Sequence, residues 1–363
     1  MIKQNLDDYA SYIKNSVAAL KPMGDYAATF ETECTSFRQR ISTGIKGLDI
    51  ALNGGLADEL YIMGAETSTG KSAFIMSLAQ HIAASGINVL YFALEMGKAE
   101  FVARGISSIS YEQHLQDSSN LKIKASDVLY WDYDQRMKDF VRIPYNSYAK
   151  YAVEYFKRYG DHLFILEAGI NGYVVKDIAN IAAEFKKQTN QPVVVFVDYL
   201  QLIKADPTDR SQSDRKTKTD VSVTTLKALA SQVGMPVFTI SSVGRTSYNG
   251  KVALSSMKES GDTEYTGGVM LGWNWVGVTT TDKDDEREAE KAACRQRGYR
   301  RMNLEVLKYR NAERDNSLDL IYYPAYSYFA GPDDLGFISV GNASTPFDDQ
   351  QAKAQQQKHV LTF

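Results

Sequence analysis

One short stretch of the chain, GAETSTGKSAF (residues 64–74), combines residue types and a spacing that could bind phosphate. It follows the pattern G-x-x-x-x-G-K-[ST], in which glycines let backbone N–H groups curl around phosphate oxygens. Lys71 would then reach the β- and γ-phosphates, and the Ser72 hydroxyl would ligate Mg²⁺. A helix beginning here would point the positive end of its dipole at the anion. By itself, this spacing predicts a site for ATP or GTP.

The loop residues that we expect to contact the nucleotide lie in one turn between a strand and a helix. A coincidental glycine-rich turn is the alternative, but the strand pattern before the loop and the helix pattern after it oppose that interpretation. The expected contacts are Gly64, Glu66, Thr67, Ser68, Thr69, Gly70, Lys71, Ser72 and Ala73.

Two acidic residues follow apolar runs elsewhere in the chain. PVVVFVDYL (192–200) places Asp198 after a buried strand, where an ionised carboxylate is costly without a cation or strong donors. We expect Asp198 to bind Mg²⁺ together with Ser72, and a cap of the next loop is the alternative. Glu95 ends the second predicted strand, within YFALEMG (91–97), and we expect it to act as general base if this strand neighbours the phosphate-loop strand. A surface glutamate is the alternative for Glu95.

The elements that position these residues alternate between strand and helix from residue 38 onward. Such alternation implies βαβ units. We therefore predict an α/β fold with a mostly parallel central sheet flanked by helices. The apolar runs that predict its early strands are 59–64, 87–94, 162–168, 192–200 and 235–241.

Composition excludes several classes of protein. The 363 residues carry a formal net charge of −3, so a nucleic-acid surface would have to be local. Cys34 and Cys294 are far apart and the four histidines are scattered, which argues against a disulfide framework or a zinc site. No apolar run approaches the ~20 residues of a membrane span, and no signal peptide is evident. We expect a cytoplasmic protein that does not contact a membrane.

The chain divides by composition into three parts. Residues 1–37 have apolar residues at helical spacing and predict one amphipathic helix or arm, which packs on its own core or on a neighbouring subunit. Residues 38–340 form the predicted α/β domain. Within it, 111–160 is Tyr-rich and irregular, and 282–298 predicts a surface helix with acidic residues first and basic residues last. The tail, 341–363, is expected to be disordered.

Several segments together resemble the motor domain of DnaB-type replicative helicases, within the wider group of RecA-like P-loop NTPases. VDYLQLI (197–203) is close to a DnaB-type signature, and FALEM (92–96) is similar to the family motif with the catalytic glutamate. LKALASQVGMPVFTIS (226–241), MKESGDTE (257–264) and LKYRNAERD (307–315) are similar to later family segments. The resemblance covers about residues 38–330, weakly over the Tyr-rich part.

The resemblance implies an ATP site shared between subunits. In the family, basic side chains of a Lys-x-Arg-Asn element reach the γ-phosphate bound by the neighbouring subunit. In this sequence that role would belong to Lys308 and Arg310, and the alternative is a pair of outward-facing strand residues. A cation supplied by a neighbour stabilises charge on the γ-phosphate.

The sequence departs from the family at three places. Ser241-Ser242 stand where the family has Ser-Gln with a γ-phosphate sensor, so the sensor would be Ser242 or would be rebuilt with Arg245. The acidic pair that usually follows the Glu-Ser-Gly segment is replaced by YTGGV (265–269). Only residues 1–37 precede the motor, so we expect the family's N-terminal helical domain to be lacking.

A basic segment follows Asp198. Residues 204–219 contain five basic and three acidic residues in a polar, Ser/Thr-rich stretch that predicts a flexible loop. The resemblance places such a loop on the central channel of a ring, where basic groups would hold single-strand phosphates without reading sequence. A solvated basic loop is the alternative. The candidate DNA-binding residues are Arg210, Arg215, Lys216 and Lys218.

Two hypotheses follow for the function. The first is an ATP- and Mg²⁺-dependent helicase that forms a ring, expected to be a hexamer, on single-stranded DNA. It would replicate a chromosome or a mobile element, with a loader or another replication protein as partner. The second is a nucleotide-gated DNA-binding or loading module, or a recombination mediator, without unwinding activity. Ser242 and the expected lack of an N-terminal domain motivate the second hypothesis.

Overall fold

A computed structural model gives the fold of two separate units, residues 1–40 and 41–363. The residues that the structure describes are 11, 13–18, 20, 22–38, 40–130, 132–134, 138–209, 212, 214–243, 251–257, 268–276, 284–309, 316–330 and 339–340. Arg210, Arg245, Arg310 and the tail 341–363 lie outside them.

The first unit is helical but is not the single helix that the apolar spacing predicts. Residues 13–18 are helical, whereas Leu20 and Pro22 are not. A 3₁₀ turn then spans Met23–Tyr26 and leads into helix α1, Ala27–Arg38. Proline fixes φ and lacks an N–H donor, so the chain changes from one helix to the next at this point.

The second unit is built on one large sheet. Its strands are β1 (Leu60–Ala65), β2 (Asn88–Ala93), β5 (Leu163–Glu167), β6 (Val193–Asp198), β7 (Val237–Ser242), β8 (Val269–Trp275), β9 (Arg300–Tyr309), β10 (Asn316–Tyr323), β11 (Tyr328–Ala330) and β12 (Ser339–Val340). Their order is β11-β10-β9-β8-β1-β7-β6-β2-β5, with β12 paired to β10. The six strands from β8 to β5 pair in parallel, and β9 to β12 pair antiparallel. The expected mostly parallel α/β sheet is confirmed.

Helices connect most of the parallel strands. They are α2 (Lys46–Ala51), α3 (Lys71–Ala84), α4 (Lys98–Gln116), α5 (Ala125–Leu129), α6 (Ala149–Tyr159), α7 (Val175–Thr189), α8 (Arg215–Ala228) and α9 (Asp284–Arg297). A π-helical turn, Leu229–Gly234, continues directly from α8. Among the described helices, none is long and apolar enough to cross a bilayer.

Both faces of the sheet are covered, because side chains alternate along each strand. Tyr61 of β1 packs in a cluster with Phe74 of α3, while Ile62 packs on the opposite face with Ile178 of α7 and Leu226 of α8. All five side chains are fully buried. The near-continuous apolar strands of the sequence follow from this two-sided burial.

The Tyr-rich range 111–160 is more regular than its sequence suggests, so the expectation of an irregular insertion is wrong for most of it. Helix α4 continues to Gln116, a short hairpin forms from β3 (Asp132–Asp134) and β4 (Asp139–Val141), and α6 follows. Tyrosines at helical spacing form the buried face of α6, because their rings supply apolar area. Those tyrosines are Tyr151, Tyr155 and Tyr159, together with the N-cap residue Tyr148.

Candidate nucleotide-binding site

The phosphate loop lies between β1 and α3, which starts at Lys71. Gly70 caps this helix with a φ of 94°, in the left-handed region that favours glycine. A Cβ on Gly70 would lie 2.5 Å from Cε1 of Tyr322, so the ring also excludes a side chain here. The second glycine of the motif is therefore required both by its backbone conformation and by packing.

Side chains outside the motif hold the backbone of the loop. The Trp273 indole N–H donates to the Thr69 carbonyl at 3.2 Å, and Nη1 of Arg300 donates to the Ser68 carbonyl at 2.7 Å. Within the loop, the Thr69 hydroxyl donates to the Glu66 carbonyl at 2.8 Å. Sequence reasoning missed Trp273 and Arg300, because they are distant in sequence and belong to β8 and β9. Together these contacts preorganise the loop.

Lys71 is buried, with 8% of its surface exposed. Its ammonium donates to the Ser242 hydroxyl at 3.3 Å and lies over the Tyr199 ring, 5.5 Å from the centroid. Burial lowers the pKa of Lys71, and the negative charges of Glu95 and Asp198 oppose that shift. A desolvated cation with few partners is suited to binding an anion.

Asp198 is completely buried at the end of β6, and both of its carboxylate oxygens are hydrogen-bonded. The Ser72 hydroxyl donates to Oδ1 at 3.2 Å, and the phenol of Tyr91 donates to Oδ2 at 2.9 Å. Burial raises the pKa of Asp198 to about 6, although the two hydrogen bonds lower it. The structure thus brings Ser72 and Asp198 together, as the sequence predicts, and adds Tyr91, which sequence reasoning missed.

The donor set fits Mg²⁺. A carboxylate and a hydroxyl are hard oxygen ligands, and Mg²⁺ is commonly held by one or two carboxylates together with substrate phosphates. Within the described part of the chain, no three His, Cys, Asp or Glu side chains form a metal cluster on their own. Asp198 and Ser72 would therefore hold the ion only in combination with phosphate oxygens and water.

Glu95 is exposed in the turn between β2 and α4. The general-base prediction required β2 to neighbour β1. It does not, because β7 and β6 lie between the two strands. β2 instead pairs with β6, and the Leu94 N–H donates to the Asp198 carbonyl at 2.9 Å. This pairing keeps Glu95 at the edge of the sheet that carries Asp198, and its charge acts on Lys71.

Ser242 ends β7 directly beside the phosphate-loop strand, paired with Ala65. Its backbone N–H donates to the amide oxygen of Gln201 at 3.3 Å. Gln201 belongs to the 3₁₀ turn Leu200–Leu202 that follows β6. The sequence offered one signal for Gln201, its place in the VDYLQLI run. The alternative sensor Arg245 is not among the described residues.

Comparison with known proteins decides the family. Over residues 40–331 the chain matches the family described as DnaB-like helicase C terminal domain. The chain belongs to this family. Replicative DNA helicase DnaB of Haemophilus influenzae is 27% identical over 264 residues, which cover 71% of this chain and 51% of the relative. A probable plasmid replicative DNA helicase of Chlamydia trachomatis is 25% identical over 270 residues, covering 72% and 53%.

Solved structures agree on the fold. One solved ATPase domain superposes with a TM-score of 0.64 at 20% identity, covering 86% of this chain and 99% of that domain. A DnaB-like replicative helicase, studied for its interactions with primase, superposes with a TM-score of 0.63 at 20% identity. The match covers 91% of this chain and 76% of that helicase chain. The expected RecA-like fold is confirmed. The chain spans about half the length of the curated relatives it matches.

The DnaB-like basic segment is not a loop throughout. Helix α8 begins at Arg215, and the Asp214 carboxylate accepts from the Thr217 N–H at 3.0 Å as its N-cap. Arg215 and Lys216 are exposed on the first turn. Lys218 is only half-exposed, and its ammonium donates to the Gln201 carbonyl at 3.0 Å. The fourth candidate, Arg210, lies outside the described residues.

Lys308 of this DnaB-like chain lies far from the chain's own phosphate loop. β9 begins at Arg300, which contacts the loop, and runs antiparallel to β8. Lys308 pairs with Met270 at the opposite end of β8. Eight residues of strand correspond to roughly 25 Å, more than a lysine side chain can span. Lys308 therefore cannot complete the site of its own chain, and Arg310, which lies outside the described residues, follows it.

Proposed function

We propose that this chain is the ATP-driven motor of a DNA helicase, acting as a ring of identical copies on single-stranded DNA. The observation that carries the proposal is the separation of two sets of side chains, to which we assign the two halves of an ATPase site. Lys71, Ser72 and Asp198 cluster at one edge of the sheet, while Lys308 lies at the other end of β9. A second copy is needed to bring the two halves together, and a closed ring, with six as the expected number, supplies one to every site.

The first half binds and activates ATP. Lys71 would neutralise the outer phosphates, and Ser72 and Asp198 would hold Mg²⁺. The bound ion neutralises charge that develops on the phosphate oxygens. Tyr91 and Ser72 fix the orientation of the Asp198 carboxylate. Glu95 is exposed and would accept a proton from the attacking water, a contribution of typically 10²–10⁴ in rate.

The second half would come from the neighbouring copy. Lys308 and Arg310 would approach the γ-phosphate bound by that neighbour and stabilise its charge. A cation supplied in this way is worth about 10³–10⁵ in rate. Because the cations arrive only when two copies are correctly apposed, hydrolysis would be coupled to movement of one subunit against the next.

The DNA contact in this proposal is the first turn of α8. Arg215 and Lys216 are exposed there, and Arg210 precedes them in the chain. Such cations bind phosphates without reading bases, which suits a motor that must pass over any sequence. The replication role rests on family membership, since the curated relatives are named replicative helicases. A loader or another replication protein as partner, and the cytoplasm as the compartment, belong to the same proposal.

The variant Glu95→Gln tests this function. We expect hydrolysis to fall by about 10²–10⁴ and unwinding of a forked duplex to stop, while nucleotide and single-stranded DNA still bind. Arg310→Ala should also lose hydrolysis, yet leave binding to its own phosphate loop intact. Glu184→Gln, on the exposed side of α7, is the matched control and should behave as wild type. Duplex separation by Glu95→Gln at the wild-type rate would favour the nucleotide-gated binding module instead.

A further inference from the structure

A continuous run of hydrogen bonds connects the phosphate-loop lysine to the first turn of α8. Lys71 donates to the Ser242 hydroxyl at 3.3 Å, and the Ser242 N–H donates to Oε1 of Gln201 at 3.3 Å. The Gln201 amide N–H₂ donates to the Ser241 hydroxyl at 3.0 Å and to the Ser242 carbonyl at 3.4 Å. The backbone carbonyl of Gln201 accepts from Lys218 at 3.0 Å. Gln201 therefore contacts Lys218 directly and is connected to Lys71 through Ser242.

The turn that carries Gln201 packs in the core beneath α8, because Leu200 is 1% exposed and Ile203 is 0% exposed. We therefore expect its backbone carbonyl and the Gln201 amide to shift together when the turn repacks. Packed interiors favour discrete arrangements over gradual deformation. We expect the Gln201 amide either to hold the end of β7 as observed or to release it, with few intermediate positions.

Lys218 depends on this turn for its position. Burial lowers the pKa of Lys218, and the positive charges of Arg215 and Lys204 lower it further. The Gln201 carbonyl is the acceptor that holds this ammonium inward. If the carbonyl moves, the charge is better solvated outside, next to Arg215 and Lys216. The direction of Lys218 thus changes the number of cations that the first turn of α8 presents to a phosphate backbone.

At the other end of this run of hydrogen bonds, the contacts of Ser242 depend on what Lys71 binds. Its ammonium has three N–H donors, one of which goes to the Ser242 hydroxyl at 3.3 Å. We expect a bound phosphate to draw the ammonium away from Ser242 and so to change the hydrogen bonds at the end of β7 that Gln201 holds. The Ser242 side chain is too short to contact the γ-phosphate by itself. Gln201 contacts Ser242 from the turn that follows the adjacent strand β6.

We propose that Gln201 is a positioning residue that couples the hydrogen-bond partner of Lys71 to the direction of Lys218, and thereby couples nucleotide binding to affinity for single-stranded DNA. This inference rests on the proposed function, because it requires both ligands. Gln201 itself touches neither.

The test measures coupling rather than activity. Binding of a fluorescent oligothymidine is followed by anisotropy with and without a non-hydrolysable ATP analogue, and the two dissociation constants are expressed as a ratio. We expect a ratio in the range of about 5–150-fold for wild type, typical of coupling between two sites. Gln201→Leu should bring the ratio to within about twofold of one. Gln188→Leu, which removes an exposed glutamine on α7, should retain the wild-type ratio.

Two further variants separate coupling from simple support of the fold. Lys218→Met removes the other end of the run and should also reduce the ratio towards one. Gln201→Glu can still accept from Ser242 but cannot donate to its carbonyl, so an intermediate ratio is expected. A wild-type ratio in a folded Gln201→Leu or Lys218→Met protein would overturn the inference. Absence of DNA binding by the wild-type protein would instead overturn the proposed function.

Discussion

Lys71 and Lys308 lie on the same sheet but in opposite settings. Lys71 is 8% exposed at the carboxyl edge of the parallel strands, surrounded by Ser242, Tyr199 and the charge of Asp198. Lys308 is half-exposed near the end of an antiparallel strand whose beginning, not its end, contacts the phosphate loop. Lys71 thus lies within the phosphate-loop cluster, whereas Lys308 lies far from that cluster.

The difference shows how the fold divides the chemistry. The parallel half supplies a preorganised pocket, because its strand ends converge on one edge. The antiparallel half carries a cation to the far side of the domain, where we expect a second copy to use it. A single copy should therefore bind nucleotide well and hydrolyse it poorly.

The largest expected effect that separates the two lysines is loss of hydrolysis in Lys308→Met, which removes the charge and keeps much of the aliphatic stem. We expect the assembled protein to lose about 10³ in turnover, with the affinity of its own phosphate loop for nucleotide changed by less than about threefold. Steady-state hydrolysis and equilibrium nucleotide binding check the two parts. Lys187→Met, at an exposed position on α7, is the control. Full turnover in Lys308→Met would remove the distinction between the halves.

The next effect concerns Asp198 and is sensitive to pH. Its pKa is raised to about 6, so below pH 6 the carboxyl is protonated and loses its capacity to ligate metal. The Mg²⁺ concentration for half-maximal wild-type hydrolysis should rise about tenfold per pH unit below that point. Asp198→Asn should need far more Mg²⁺ at every pH and show no such inflection. A wild-type Mg²⁺ requirement that is flat from about pH 7 to 5 would contradict this account.

Deprotonation of Asp198 favours metal binding, but it should lower the stability of the metal-free protein. Between its ordinary pKa of 3.8 and about 6, the folded metal-free protein binds more protons than the unfolded chain, so stability falls as pH rises through this window. Above pH 6 the cost is complete, at about 3 kcal/mol. Asp198→Asn should therefore raise the thermal midpoint at about pH 8 relative to its effect at about pH 4. Equal shifts at both pH values would contradict a buried, costly carboxylate.

Local pattern accounts for what the sequence predicted correctly. The phosphate-loop spacing and the apolar run before Asp198 each identify their element unaided, and the alternation of runs predicts the parallel sheet. The pairing of Ser72 with Asp198 follows from that sheet, because the phosphate loop and Asp198 both stand at carboxyl ends of parallel strands.

Long-range pairing accounts for what the sequence could not predict. Nothing local shows that β2 pairs with β6 rather than β1, or that Tyr91 of β2 then bonds to Asp198. The start of α8 was predicted as a loop because RKTKTD (215–220) is polar and basic. Asp214, three residues before Thr217, is nevertheless an N-cap signal. Arg300 and Trp273 contact the phosphate loop because β8 pairs with β1 and β9 pairs with β8, and no local pattern shows this order of strands.

Steady-state ATP hydrolysis with and without single-stranded DNA at low salt tests a DNA-driven motor most directly. We expect strong stimulation of wild-type hydrolysis by DNA. In the Arg215→Ala/Lys216→Ala double variant we expect weaker stimulation at equal DNA concentration, with a shallower salt dependence of DNA binding. Robust hydrolysis that is indifferent to DNA in both proteins would contradict a DNA-driven motor.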